Sequence, residues 1–98
     1  MIIVTGNYQV QPDQRDRFMS SKREQVERTR KESGCLEYAF SADAEEPGLV
    51  RLIELWESMD DLHAHVQGLR SGLPQSQAVE VVSTKVAVYE ATPATPPW

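Results

Sequence analysis

The sequence predicts one α+β domain, a four-stranded antiparallel sheet with its helices on one face and a second sheet face that is itself apolar. Three observations carry this. Strand-like and helix-like runs follow one another in the order β-α-β-β-α-β. A turn from Asp43 to Gly48, ending in Pro47-Gly48, joins the two middle strands. The strands carry large apolar side chains at both parities, most clearly between Leu49 and Glu57.

The first strand runs from Ile2 to Val10, where Ile2, Val4, Tyr8 and Val10 alternate with Ile3, Thr5, Asn7 and Gln9. Pro12-Asp13 stops it and opens a helix with Asp13 as N-cap. That helix is expected to reach about Ser33, with Gly34 as its stop. Its apolar stripe is thin, only Phe18, Met19, Val26 and Thr29, so it lies on the surface. Asp13–Arg17, Glu24–Arg28 and Glu27–Lys31 are acid-before-base pairs at i,i+4 on its solvated side. Leu36 to Ala42 is the second strand, with Leu36, Tyr38, Phe40 and Ala42 on one face, and Leu49 to Glu57 is the third. Ser58-Met59-Asp60-Asp61 is a capping-box pattern that starts a second helix, with Leu62, Val66 and Leu69 as its stripe. Gly68, Gly72 and Pro74 are expected to break it into short pieces, and Val79 to Tyr89 is the last strand.

One hairpin between two crossover helices is the ferredoxin-like arrangement. Residues 1–91 form this single domain, and residues 92–98, with three prolines, form a tail. Two helices cover only one face of such a sheet, yet both parities are apolar. In the third strand Val50, Leu52 and Trp56 oppose Ile53 and Leu55; in the last, Val79, Val81, Ala87 and Tyr89 oppose Val82, Val86 and Val88. An exposed patch of that size is more than a monomer usually tolerates. A homodimer closed face to face through the sheets, with twofold symmetry, covers it. Parity alone leaves open which face Trp56 takes.

Composition sets the outer bounds. A chain of 98 residues buries about two-thirds of its unfolded surface, enough for one core layer and no separate cofactor domain. The net charge of −5 argues against a nucleic-acid partner, which needs a basic stripe. Cys35 is the single cysteine, so there is no internal disulfide and no CxxC metal pair; it reads as a small apolar residue. The start, Met1-Ile2-Ile3-Val4, lacks a basic segment and reads as a strand, and no apolar run is long enough to span a bilayer. The expected location is cytoplasmic, with no membrane partner.

Four pieces in order and spacing, Gly34-Cys35-Leu36-x-Tyr38, Glu46-Pro47-x-x-Val50, Glu54-x-Trp56-x-Ser58 and Asp61-Leu62-x-x-His65, resemble the antibiotic biosynthesis monooxygenase family over about residues 1–90. The resemblance implies a dimeric α/β-barrel fold. It also implies oxygenation of a phenolic, polycyclic aromatic or quinol substrate with dioxygen as co-substrate and no cofactor. The substrate reduces dioxygen after losing a proton, in a dry pocket that supplies a base and groups for an oxyanion. The alternatives are a non-catalytic small-ligand-binding or stress-response dimer, and a haem-binding or haem-degrading protein.

The resemblance places His65 as the catalytic base and Trp56 as a pocket wall whose indole N–H donates to substrate or oxygen; in its bland reading Trp56 is a core aromatic. Glu54 shares Trp56's strand face and is either a base or the partner of an arginine, from its own chain or a partner's. Geometry does not single out His65: His63 and His65 flank the Leu62–Val66–Leu69 stripe at about 80° on either side, and lie too far around the helix to share a metal. Asn7 stands where haem-degrading relatives use an asparagine, but His65 and Gln75 stand where those relatives have tryptophan and histidine. The family's second histidine is replaced by Arg70, which can hold an anionic substrate or face solvent. Tyr38 and Tyr89 are pocket phenols or core residues. A cavity touching Trp56 and His65 would favour catalysis, and a filled core the bland reading.

Overall fold

The structure, a computed structural model, describes residues 1–71 and 79–98. Its elements are β1 (Ile2–Val10), a 3-10 turn (Pro12–Gln14), α1 (Arg15–Ser21), α2 (Arg23–Thr29), β2 (Cys35–Ala42), β3 (Leu49–Trp56), α3 (Met59–Ser71) and β4 (Val81–Glu90). The sheet order is β2-β3-β1-β4, with every neighbouring pair antiparallel, which is the ferredoxin-like topology.

The long first helix of the sequence reading is two helices. Ser21 Oγ donates to the Phe18 carbonyl at 2.6 Å. That carbonyl is the ordinary acceptor for the Lys22 N–H, which turns instead to Met19 O at 3.2 Å. The helix tightens and breaks at Lys22, whose ammonium then sits over the Phe18 and Phe40 rings, 5.3 Å and 5.9 Å from their centroids. Burial pushes this amine below the ordinary lysine range. Asp13 is not an N-cap either. It lies inside the 3-10 turn, which Pro12 opens one residue earlier, and neither Gln11 nor Gln14 makes a side-chain cap. None of the three expected i,i+4 pairs forms an ion pair among the described residues.

The second helix runs unbroken through Gly68 to Ser71, so Gly68 does not end it; Gly72 and Pro74 lie outside the described residues. β4 begins at Val81 rather than Val79, after a register shift opposite Gln9 and Val10. A bulge between Cys35 and Glu37 displaces Leu36 from the face of Tyr38 and Phe40 and leaves it 52% exposed. At the β2–β3 turn, Val10 N–H donates to Gly48 O at 2.9 Å, and a Cβ on Gly48 would fall on the Val10 carbonyl.

Register assigns the two faces, because directly opposed residues share one. Ile2, Val4 and Tyr8 of β1 lie with Trp56, Glu54 and Val50 of β3 and with Tyr38 and Phe40 of β2, under the helices. Ile3, Thr5 and Asn7 lie with Leu55, Ile53 and Arg51, and with Tyr89, Ala87 and Lys85, on the other face. α1 and α2 pack on β2 and α3 on β3. β4 is thus outflanked, and its helix-side Val86 and Val88 stay about half exposed. The core has two clusters, one around Trp56, Tyr38, Val4 and Leu62, the other around Phe18, Val50 and Val10. Each fully buried aliphatic contributes about 1.5–3 kcal/mol. The tail is exposed throughout and ends in a bare Trp98.

Candidate active site

Beneath α3 a set of polar side chains is buried where apolar packing would be expected. β3 supplies Glu54 and Trp56, two residues apart and therefore on one face, and both are buried. The capping serine sets α3: Ser58 Oγ accepts from Asp61 N–H at 3.1 Å and donates to its carboxylate at 2.8 Å. Seven residues further on, His65 is carried inward with Leu62, and only 3% of it is exposed, while His63 points to solvent. The roll of the helix, which the apolar stripe left open, settles which histidine is inside.

The His65 ring lies tilted on Trp56 with centroids 4.9 Å apart and meets Tyr38 edge-on at 5.5 Å. Trp56 Nε1–H donates to Glu54 Oε1 at 2.9 Å. The same Glu54 oxygen stands 3.9 Å from His65 Nε2, and His65 Nδ1 is 2.8 Å from Glu32 Oε1. The imidazole therefore has a carboxylate against each nitrogen. Among the described residues no arginine partners Glu54; an indole N–H and the imidazole take the expected place.

Burial holds the Glu54 carboxyl above the usual carboxylate range, and Glu32 adds to this, while the Trp56 hydrogen bond and His65 pull the other way. Burial likewise pushes the Tyr38 phenol well up, although Gln25 Nε2 donates to its oxygen at 2.7 Å. The half-buried Tyr8 phenol is raised by burial and by the charge of Glu54. A carboxyl that resists ionisation beside an imidazole is an acid–base pair. Among the described residues no group of three His, Cys, Asp or Glu side chains is placed to hold a metal ion.

Of the residues singled out from the sequence, Trp56, Glu54, His65 and Tyr38 come together. Asn7 does not: it lies on the opposite sheet face, where Arg51 donates to its side-chain oxygen at 3.0 Å and is itself tied to Asp43. Arg70 is exposed on the outer part of α3, Tyr89 is on the opposite face, and Gln75 is outside the described residues. Glu32 was missed. It closes a charge-rich helical run and its partner is 33 residues away; its place just before Gly34-Cys35 was the one available signal.

Several open cavities lie on the surface of the described residues. One, of about 470 Å³, is the groove between α3 and β4, walled by Met59, Leu62, Val66 and Val88 with the exposed His63 and Arg70 beside them. Leu62 and Val66 lie on the helix face that also carries His65, and Leu62 belongs to the Trp56 cluster.

The model of the antibiotic biosynthesis monooxygenase family matches residues 1–78. The chain belongs to that family. A crystal structure of an antibiotic biosynthesis monooxygenase superposes with a TM-score of 0.75 at 28% identity, covering 95% of this chain and 100% of that one. A Deinococcus radiodurans protein provisionally named as another superposes at 0.81 and 24% identity, over 100% and 99% of the two chains, and so shows the fold. An uncharacterized protein of Synechocystis is 33% identical over 66 residues, which are 67% of this chain and 45% of that relative. The chain thus spans less than half of that relative's length. Family membership brings monooxygenase chemistry into view without naming a substrate.

Proposed function

We propose that this protein is a cofactor-independent monooxygenase that oxidises a phenolic, polycyclic aromatic or quinol substrate with dioxygen. The observation that carries the reading is the cluster of buried Trp56, Glu54 and His65 with the half-buried Glu32 at its edge. Replacing such a group by apolar residues usually costs a fold nothing or stabilises it, so a core that retains a carboxylate and an imidazole, with a second carboxylate at its edge, has a use for them. The groove between α3 and β4 holds the aromatic ring against Leu62, Val66 and Val88. Arg70 and His63, which form no ion pair among the described residues, meet an anionic substituent. The Glu54–His65 pair takes the hydroxyl proton. The phenolate passes an electron to dioxygen, the two radicals combine at a ring carbon, and the hydroperoxide loses water to leave a quinone. One oxygen atom enters the ring and the other leaves as water. The returned proton comes from the same acid–base pair.

The working unit is a homodimer in the cytoplasm. The open sheet face, with Ile3, Ile53, Leu55, Ala87 and Tyr89, is the surface for the second copy. No helix of the described residues is long and apolar enough to cross a membrane.

Oxygen uptake by metal-free protein with a panel of phenols and quinols tests the reaction. Uptake that His65→Ala and Glu54→Gln abolish is expected, and no uptake above background from any substrate would sink it. A second reading, a small-ligand-binding domain without turnover, is favoured by the complete burial of Trp56, which fits a filled core. Thermal stabilisation by aromatic ligands with no oxygen consumed would establish that reading instead.

A further inference from the structure

Of the four clustered side chains, Glu32 reaches water. The side chains of His65 and Glu54 are 2% and 8% exposed, and that of Glu32 is 38% exposed. A surface carboxylate ordinarily needs no particular backbone, but Glu32 has one. Its N–H donates to Thr29 O at 3.0 Å and its carbonyl accepts from Cys35 N–H at 3.2 Å. Gly34, at φ +79°, turns the chain so closely onto α3 that a Cβ there would fall on the Asp61 carboxylate. Glu57 N–H donates to Gly34 O at 2.9 Å. The turn that carries Glu32 is thus tied to the end of α2, the end of β3 and the first turn of α3. These last two elements present Glu54 and His65.

An ionised carboxylate only accepts hydrogen bonds. At 2.8 Å from Glu32, Nδ1 must therefore be the nitrogen that carries the hydrogen. Nε2 of the neutral ring is then bare and faces Glu54 Oε1 at 3.9 Å, close enough for the carboxylate charge to be felt but too far for a hydrogen bond, so Nε2 is the nitrogen open to a proton. The other groups around the ring do not compete for Nδ1: Tyr38 presents a ring edge and Trp56 a ring face. Cys35 and Arg30 make no hydrogen bond or ion pair to His65.

We propose that Glu32 is the positioning residue of the site: it fixes His65 in the Nδ1–H tautomer and so makes Nε2, on the Glu54 side, the nitrogen that takes and returns the proton. Its use in turnover rests on the monooxygenase reading; the tautomer does not. Nitrogen-15 NMR of the histidine ring reads it directly. Wild type shows His65 as Nδ1–H. Glu32→Ala shows the ring switched to Nε2–H, donating to Glu54. Glu32→Gln, which keeps the shape and an acceptor oxygen, retains Nδ1–H without the charge. If wild type shows Nε2–H, or folded Glu32→Ala keeps Nδ1–H, the proposal is overturned; if Glu32→Ala does not fold, the wild-type spectrum decides alone. Where oxygen uptake is found, Glu32→Ala lowers kcat by about 10- to 100-fold with KM nearly unchanged, and Glu32→Gln, which keeps the tautomer, recovers most of it. A change in KM alone would overturn the assignment. Absence of turnover in wild type with the Nδ1–H tautomer intact would count against the monooxygenase reading and not against Glu32.

Discussion

Replacing Trp56 by phenylalanine isolates the indole N–H from the ring that surrounds it. Trp56 has no exposed surface, and its Nε1–H is the one donor within hydrogen-bond distance of Glu54 among the described residues. Phenylalanine keeps a ring against His65 but leaves the buried carboxylate without that donor, a loss of about 1–3 kcal/mol. The missing part of the indole leaves a void worth about 1 kcal/mol more. The sum, about 2–4 kcal/mol, is a large part of the about 5–15 kcal/mol of a domain this size. It should lower Tm by about 10–30 °C. Urea unfolding at fixed protomer concentration is the assay, since association shifts apparent stability. The hydrogen bond matters most when Glu54 is charged, so the penalty should be larger at about pH 8 than at about pH 4. A penalty below about 1 kcal/mol, or one equal at the two pH values, would refute the assignment of this bond as a principal partner of the buried carboxylate.

Glu54→Gln should gain on wild type as pH rises: the folded carboxyl titrates above its unfolded value, so its contribution is complete below the unfolded carboxylate range of about 4.3 and is lost as pH climbs through the folded value, whereas glutamine does not titrate. Urea midpoints across pH check it, and a flat difference counts against the raised carboxyl. Gly34→Ala should cost about 1–3 kcal/mol in thermal unfolding, because the positive φ and the nearby Asp61 both resist a Cβ; a loss within error contradicts the tight turn. If wild type sediments as the proposed dimer, Ile53→Lys on the open sheet face should convert it to monomer, and an intact dimer would remove that face from the interface. Asn7→Ala should leave oxygen uptake within about twofold of wild type, since Asn7 faces away from His65; a larger loss would tie the two faces together.

Much of the fold was legible because strands announce themselves by parity. β1 was readable to the residue, and the division of Leu52 and Trp56 from Ile53 and Leu55 held in the register. The helix break was not legible, because it depends on Ser21 taking one carbonyl, and no periodicity records a side chain competing with the backbone. Nor could the bulge that exposes Leu36 be read, since register shifts are set by the neighbouring strand. In the site, Glu54 and Trp56 were linked by their spacing alone. His65 was distinguished from His63 by how α3 rolls on β3, and Glu32 by a partner 33 residues away in sequence. Both depend on packing between elements.

The break at Lys22 also bears on motion. Helices of seven residues are well below the length that holds together unaided in water, so α1 and α2 persist only while Phe18, Val26 and Thr29 stay docked on the sheet. With Lys22 as a joint, α2 can undock as a separate unit, and amide exchange should find it among the first segments to open. Glu32 hangs from the end of that unit. Each opening of α2 would break one of the ties on the turn that carries Glu32, the bond to Thr29 O, while the Glu57–Gly34 bond and the cap at Ser58 hold β3 and α3 in place. The clasp on His65 is in that sense anchored partly to a helix that cannot stand alone.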